Sequence, residues 1–190
     1  PQNPKTPKIY YIYIMNLIMV IIVIIKYIKT TFIFYLKAIH HQDMLEYLLH
    51  RASTVGLEKA QLLANQQDVS IKTRLADLTT EDLGHETWDL IVSIFFHLPT
   101  ADRHALHQRI ARALRPGGRI ILEAYTPAQL SFKTGGPSRP EMLMSLPLLQ
   151  ADFAGLAIVH AIELERDVVE GAGHIGRSAV VQFIAEKPIQ

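Results

Sequence analysis

"WDLIVSIFFHLP", Trp88–Pro99, fixes how the rest of the chain is read. From Leu90 to Phe96 the sequence is nearly continuously apolar. A run of this kind suits a central parallel strand covered on both faces. Working outward, "TADRHALHQRIARALRPGG" (100–118) places Leu106, Ile110 and Leu114 on one helical face, and Pro116-Gly117-Gly118 is expected to end the helix. "RIILEAY" (119–125) is a second continuous apolar strand. Upstream, "VSIKTRLADL" (69–78) alternates through Val69, Ile71, Thr73 and Leu75, which predicts a strand with one wetter face near a sheet edge.

Further out the signals are mostly helical. "TVGLEKAQLLANQQ" (54–67) carries Leu57, Ala60, Leu63 and Ala64 on one face, with Ser53 or Thr54 as the cap. "AIHHQDMLEYLLHR" (38–51) has Met44, Leu45, Leu48 and Leu49 as a short helical stripe. Downstream, "MLMSLPLLQADFAG" (142–155) predicts a short helix. "LAIVHAIELERDV" (156–168) and "SAVVQFIAEKP" (178–188) are two strands joined by a glycine-containing connection, hence an antiparallel hairpin. Helices alternating with strands and a terminal hairpin describe an open α/β sheet with an antiparallel addition at its edge.

The first 37 residues differ in kind. They are built from Ile, Tyr, Lys, Asn, Phe and Met, the residue types of AT-rich codons, whereas Ala38 onward uses ordinary proportions. The organisation expected is therefore a separate apolar segment, 1–37, followed by an α/β domain, 38–190. Within Ile9–Ile25 the one clearly polar side chain is Asn16, so hydropathy favours a membrane-inserting helix over a soluble strand. Lysines on both sides leave its orientation open. A membrane contact through residues 9–36 is one expectation; a non-native N-terminus is the other.

Net charge is +1, which gives no field built for nucleic acid. The chain has no cysteine, which excludes disulfides, thiolate nucleophiles and thiolate metal sites, and fits a reducing, cytoplasmic setting for the α/β part. His104 and His107 are three apart on a helix without an adjacent carboxylate pattern. A solvated helix face is expected there, and no metal.

"VGLEKAQLLA", "ADL", "WDLIVSIFFHLP", "LRPGGRIILEAYTPAQL" and "TGGP" together resemble a class I S-adenosylmethionine-dependent methyltransferase, closest to the tellurite-resistance-like and thiopurine-like branch. The resemblance covers about Thr54 to Pro188. It implies a Rossmann-like sheet of seven strands, one antiparallel, with the strand at Val69 third and at an edge, and "WDLIVSIFF" fourth and central. It implies S-adenosylmethionine as cofactor and methyl transfer to a small molecule. By the same resemblance Asp77 would hold the adenine amine, and the Leu78 amide a ring nitrogen; Asp77 as a turn residue is the alternative. Ser93, Ile94 and His97 stand where the fourth strand ends, at the ligand edge of such sheets. His97 there is either a cofactor or substrate contact or a packed, hydrogen-bonded histidine. Gly135 and Gly136 either admit a substrate or make a turn. No catalytic residue is identified.

Two parts of the family pattern are missing. No D-x-G-x-G loop precedes Val55, and "LLHRAS" holds no acid where the second strand's ribose-binding carboxylate belongs. The expectation is a domain without its first βα unit, its place taken by an apolar segment that is helical. Alternatively Thr30–Leu36 supplies a surrogate strand. Cofactor binding and activity are accordingly expected to be impaired, with a non-catalytic membrane-tethered remnant or a truncated gene product as the alternative.

Overall fold

The computed structural model describes residues 8–13, 46–50, 57–58, 61–62, 65–66, 72–169 and 175–189. Their elements run β1 (Lys8–Tyr13), β2 (Glu46–His50), β3 (Lys72–Arg74), β4 (Trp88–Ile94), α1 (Thr100–Ala113) and β5 (Leu114–Tyr125). Two 3-10 turns follow (Pro127–Ser131 and Pro140–Met142), then α2 (Leu146–Asp152), β6 (Ala157–Val169) and β7 (Ile175–Glu186). The described residues 57, 58, 61, 62, 65 and 66 are helical, as the amphipathic stripe predicts.

One sheet joins all seven strands, in the order β3-β2-β1-β4-β5-β7-β6. Strands β1 to β5 pair in parallel, and β7 lies antiparallel between β5 and β6. The half-wet strand is at the edge and the continuously apolar β4 near the middle, both as their patterns predict. On β4, Leu90, Ile91, Val92 and Ser93 are all buried, because β1 and β5 pair on either side and both faces are covered.

Helix α1 buries Arg103, Leu106, His107, Ile110 and Ala113, the spacing of one face. That face meets Ile120, Leu122 and Ala124 of β5 and Val181, Phe183 and Ala185 of β7 in the main core. Trp88 closes one end of this core, and its indole N–H donates to the Leu83 carbonyl at 2.8 Å. Phe153, stacked on Phe183 with ring centroids 5.6 Å apart, anchors the end of α2. Each such buried side chain contributes about 1.5–3 kcal/mol.

The structure departs from the sequence reading in four places. Glu46–His50 is a strand, not part of a helix: five residues with two adjacent leucines fit either period, and pairing with both β1 and β3 decides it. Strand β3, described from Lys72, ends at Arg74 rather than running on to Leu78. The helix before Pro116 ends at Ala113; Leu114 is already extended, and Pro116-Gly117-Gly118 lies inside β5, where the β4–β5 register shifts. The apolar segment is not helical at Lys8–Tyr13. It is β1, paired with β2 on one side and β4 on the other, so these residues hold the first strand's place. Its isoleucines and tyrosines, β-branched and aromatic, suit a strand. Thr30–Leu36, the surrogate the sequence suggested, lies outside the described residues. So does most of the 9–36 stretch read as a span; among the described residues no helix is long and apolar enough to cross a membrane.

Candidate functional site

Because β3, β2, β1 and β4 are parallel, their C-terminal ends share one edge of the sheet: Arg74, His50, Tyr13 and Ile94. In open α/β sheets ligands bind outside this edge. Asp77 and Leu78 follow β3 there, and Ser93, Ile94 and His97 follow or end β4. The strand spacing separates the two groups by about 14 Å.

Asp77 opens a tight turn. Its Oδ1 accepts the Thr79 N–H at 2.9 Å and the Thr79 hydroxyl at 2.7 Å, while its carbonyl accepts the N–H of Thr80 and Glu81. The Thr79 hydroxyl, the Thr79 amide and the nearby Arg109 together hold the carboxyl below the usual carboxylate range, so it is ionised at neutral pH. The side chain itself is exposed. Leu78 is buried in the main core, which fixes the turn to the body of the protein. Arg74 pairs with Glu81 across the turn's base. The turn role weighed for Asp77 is therefore present, and it leaves the carboxylate on the surface rather than consumed by packing.

Ser93 is buried on β4, beside Ile12 of β1 and Leu122 of β5. Ile94 ends the strand. Phe95 then takes φ 49°, a left-handed conformation costing a side-chain-bearing residue about 1–2 kcal/mol. Two contacts hold it: its N–H donates to the Glu123 carbonyl at 2.7 Å, and its ring stacks on Tyr125 with centroids 4.4 Å apart. The turn delivers His97 into the interior, 7% exposed. The Met142 carbonyl lies 2.8 Å from Nδ1 and can only accept, so Nδ1 carries the proton. Nε2 accepts the Tyr125 N–H at 3.3 Å. Burial pushes the imidazole pKa down to about 4, against the opposing pull of the Met142 bond. His97 is thus a neutral clamp joining the ends of β4 and β5 to the 3-10 turn at Met142. Both ring nitrogens are engaged by backbone, which leaves the ring no free basic nitrogen.

The loop after β5 is held as firmly. Buried Gln129 donates through Nε2 to the Thr134 hydroxyl and the Gly135 carbonyl, each at 3.0 Å, and its Oε1 accepts the Ala179 N–H at 2.8 Å. Thr134 in turn donates to the Arg177 carbonyl at 2.8 Å. Gly136, at φ +87°, lies against the Tyr125 ring, where an added Cβ would come within 2.8 Å of a ring carbon. The turn reading of these glycines is the one seen: at Gly136 the backbone packs against the buried Tyr125 ring. Gly136→Ala should lower unfolding free energy by about 2 kcal/mol through strain and overpacking. Chemical denaturation measures this; an unchanged midpoint would contradict it.

Behind the edge, between α1 and α2, lies a second polar cluster. Asp152 Oδ2 accepts from Arg103 Nε at 3.1 Å and from His107 Nδ1 at 2.7 Å, and Oδ1 accepts from His104 Nδ1 at 2.8 Å. Gln108 donates to the Asp152 carbonyl at 2.7 Å. The solvated helix face expected for His104 and His107 is half wrong. His104 is exposed, but His107 is buried and stacks on Phe153 with centroids 4.7 Å apart. The cause is a carboxylate 45 residues away, which no local spacing reveals. Among the described residues no group of His, Asp or Glu is arranged to hold a metal ion.

Arg109, Gln129 and Asp152 carry no sequence signal of their own. Each is an ordinary polar residue on a helix or turn, and its partner is set by the tertiary fold. Residues 35–118 match the family described as a methyltransferase domain. No curated protein matches the sequence. Among solved structures, the fold is similar to a SAM-dependent methyltransferase of Methanosarcina mazei (12% identity over 95% of this chain and 93% of that one, TM-score 0.61). It is also similar to the N-methyltransferase NodS of Bradyrhizobium japonicum (11% identity, 94% and 85%, TM-score 0.62). A third similar structure, TehB of Haemophilus influenzae, is matched at 14% identity over 75% of this chain and 50% of that one, with a TM-score of 0.60.

Proposed function

We propose that this chain, whose fold is that of class I methyltransferases, transfers a methyl group from S-adenosylmethionine to a small molecule, with a weakened hold on the cofactor. The sheet order, with antiparallel β7 between β5 and β6, is the observation that carries this reading. The matched methyltransferase family and the similar methyltransferase structures support it. The ordered set "VGLEKAQLLA", "ADL", "WDLIVSIFFHLP", "LRPGGRIILEAYTPAQL" and "TGGP" favours the tellurite-resistance-like and thiopurine-like branch.

The residues present fit the cofactor at one end and not at the other. At the adenine end, ionised Asp77 offers a surface carboxylate to the amine, and the Leu78 amide would meet a ring nitrogen. Ser93 and Ile94 line the central part of the same edge. At the ribose, β2 ends at His50, and Arg51–Leu57 contains no acid to accept the two hydroxyls. No glycine occurs between Tyr13 and Gly56 to bring backbone close to the amino-acid portion. Losing the two acceptors alone weakens binding about a hundredfold.

When bound, the cofactor supplies a sulfonium-activated methyl group. The chain's own contribution is orientation: the turns that follow β4 and β5 are fixed by the buried Phe95–Tyr125 stack and by Gly136 against the Tyr125 ring, so the strand ends where an acceptor would sit are rigid. With His97 neutral and engaged by backbone, a soft nucleophile such as sulfur or selenium, which needs no base, suits the site best. A membrane tether through residues 9–36 forms no part of this assignment, since Lys8–Tyr13 is paired on both sides within the sheet.

Calorimetric titration of the full chain with S-adenosylhomocysteine should give saturable binding with Kd about 0.1–1 mM. Asp77→Ala should remove it. No saturable heat at millimolar ligand would overturn the assignment.

A further inference from the structure

The Asp77 turn is gripped from a second side. Arg109 reaches from α1, and its Nη2 donates to the Leu78 carbonyl at 2.5 Å. The peptide unit that carries this carbonyl also carries the Thr79 N–H, which donates to Asp77 Oδ1 at 2.9 Å. One peptide group is therefore held at both ends, by a guanidinium on its oxygen and by a carboxylate on its hydrogen. Hydrogen bonds in such a chain polarise and strengthen one another. With Oδ1 committed to Thr79, the orientation of the whole carboxylate is set, and with it the direction in which Oδ2 points.

Arg109 makes this contact at a cost. Its Nε is buried and has no partner among the described residues. A buried unpaired donor is unfavourable, and an arginine serving only to solvate α1 would not leave one. Leu106 and Ile110, its neighbours on the helix, are packed in the same core as Leu78. This fixes the distance the guanidinium has to bridge.

Resting on the assignment of Asp77 to the adenine amine, we propose that Arg109 is a positioning residue for adenine recognition, acting on Asp77 through the Leu78–Thr79 peptide. It touches no ligand atom. Its effect is to hold the carboxylate in the one orientation that can accept the exocyclic amine. Removing it frees the peptide to rotate, and the turn then loses selectivity for a 6-amino purine.

The test uses the full chain with two probes, S-adenosylhomocysteine and its 6-oxo (inosine) counterpart. Arg109→Met should bind S-adenosylhomocysteine about tenfold more weakly and leave the inosine compound unchanged. Adding Arg109→Met to Asp77→Asn should cause no further loss. Arg109→Lys, which keeps one donor within reach of the carbonyl, should recover part of the affinity and serves if the methionine variant does not fold. Amide exchange at Thr79 should quicken in Arg109→Met. Equal weakening of both ligands, or undiminished selectivity, would overturn the positioning role alone. If the unaltered chain binds neither ligand, the assignment of Asp77 falls and the proposal falls with it.

Discussion

Asp152→Ala should cost about 3–5 kcal/mol of unfolding free energy. Asp152 is 6% exposed, and Arg103 beside it 4%. Burial alone would raise the Asp152 pKa. The hydrogen bonds from His107, His104 and Arg103 outweigh it and hold the carboxyl well below the usual range. Deleting the carboxylate strands a guanidinium in the interior between α1 and α2. One of its nitrogens, Nη1, already finds no partner among the described residues. For a domain whose whole stability is about 5–15 kcal/mol, the variant would be marginally folded at best. Replacing both charges with apolar residues, Asp152→Leu with Arg103→Met, should cost much less than the sum of the single changes, because no charge is left unpaired. Urea unfolding of the three variants decides the matter, and strict additivity would contradict the account.

His97→Ala should cost about 3–4 kcal/mol. It opens a cavity beside Tyr125 and removes the two hydrogen bonds that His97 makes to the Tyr125 N–H and the Met142 carbonyl. The same residue predicts a pH dependence. In the folded chain His97 titrates at about 4, against 6.5 in the unfolded chain. Between those values the unfolded state binds a proton that the folded state does not. Stability contributed by neutral His97 is thus complete above pH 6.5 and is lost as pH falls toward 4, by up to about 3 kcal/mol. His107, its pKa also lowered by burial, adds a loss of the same sign. Asp152 enters only at lower pH, since its unfolded carboxyl titrates near 3.8 and its folded one below that. His97→Asn should therefore flatten the decline between pH 7 and 4.5 without abolishing it. A decline equal to that of the parent chain would show that His97 is not the group responsible.

How far the sequence discloses this protein depends on whether the cause is local. Strand β4 is legible because burial on both faces writes itself as a nearly continuous apolar run from Leu90 to Phe96, broken only by Ser93. The hairpin of β6 and β7 is legible because a short glycine-bearing connection admits only antiparallel pairing. Glu46–His50 is not legible: its two adjacent leucines satisfy a helical stripe and a strand equally, and the pairing with β1 and β3 that settles it is not written in those five residues. Lys8–Tyr13 misleads for a related reason. Hydropathy reports that the side chains avoid water but not whether the strand or the helix lets them do so. Asp77 and Leu78 follow β3, and Ser93, Ile94 and His97 end or follow β4, in the chain order that the strand pattern predicts, but Leu78 and His97 turn inward. What spacing does not convey is that His97 spends both nitrogens on backbone, that Arg109 holds a turn 31 residues away, or that Gln129 accepts from strand β7 50 residues away. Contacts of that kind exist only once the sheet has assembled.

The most direct test of the account is a map of amide chemical-shift changes as S-adenosylhomocysteine is added to the isotope-labelled full chain. The account predicts saturable shifts at Asp77–Thr79 and at Ser93–His97, the two stretches about 14 Å apart along one sheet edge, with α2 and the β6–β7 hairpin undisturbed. Shifts confined to the hairpin or to α2, or none at millimolar ligand, would contradict it.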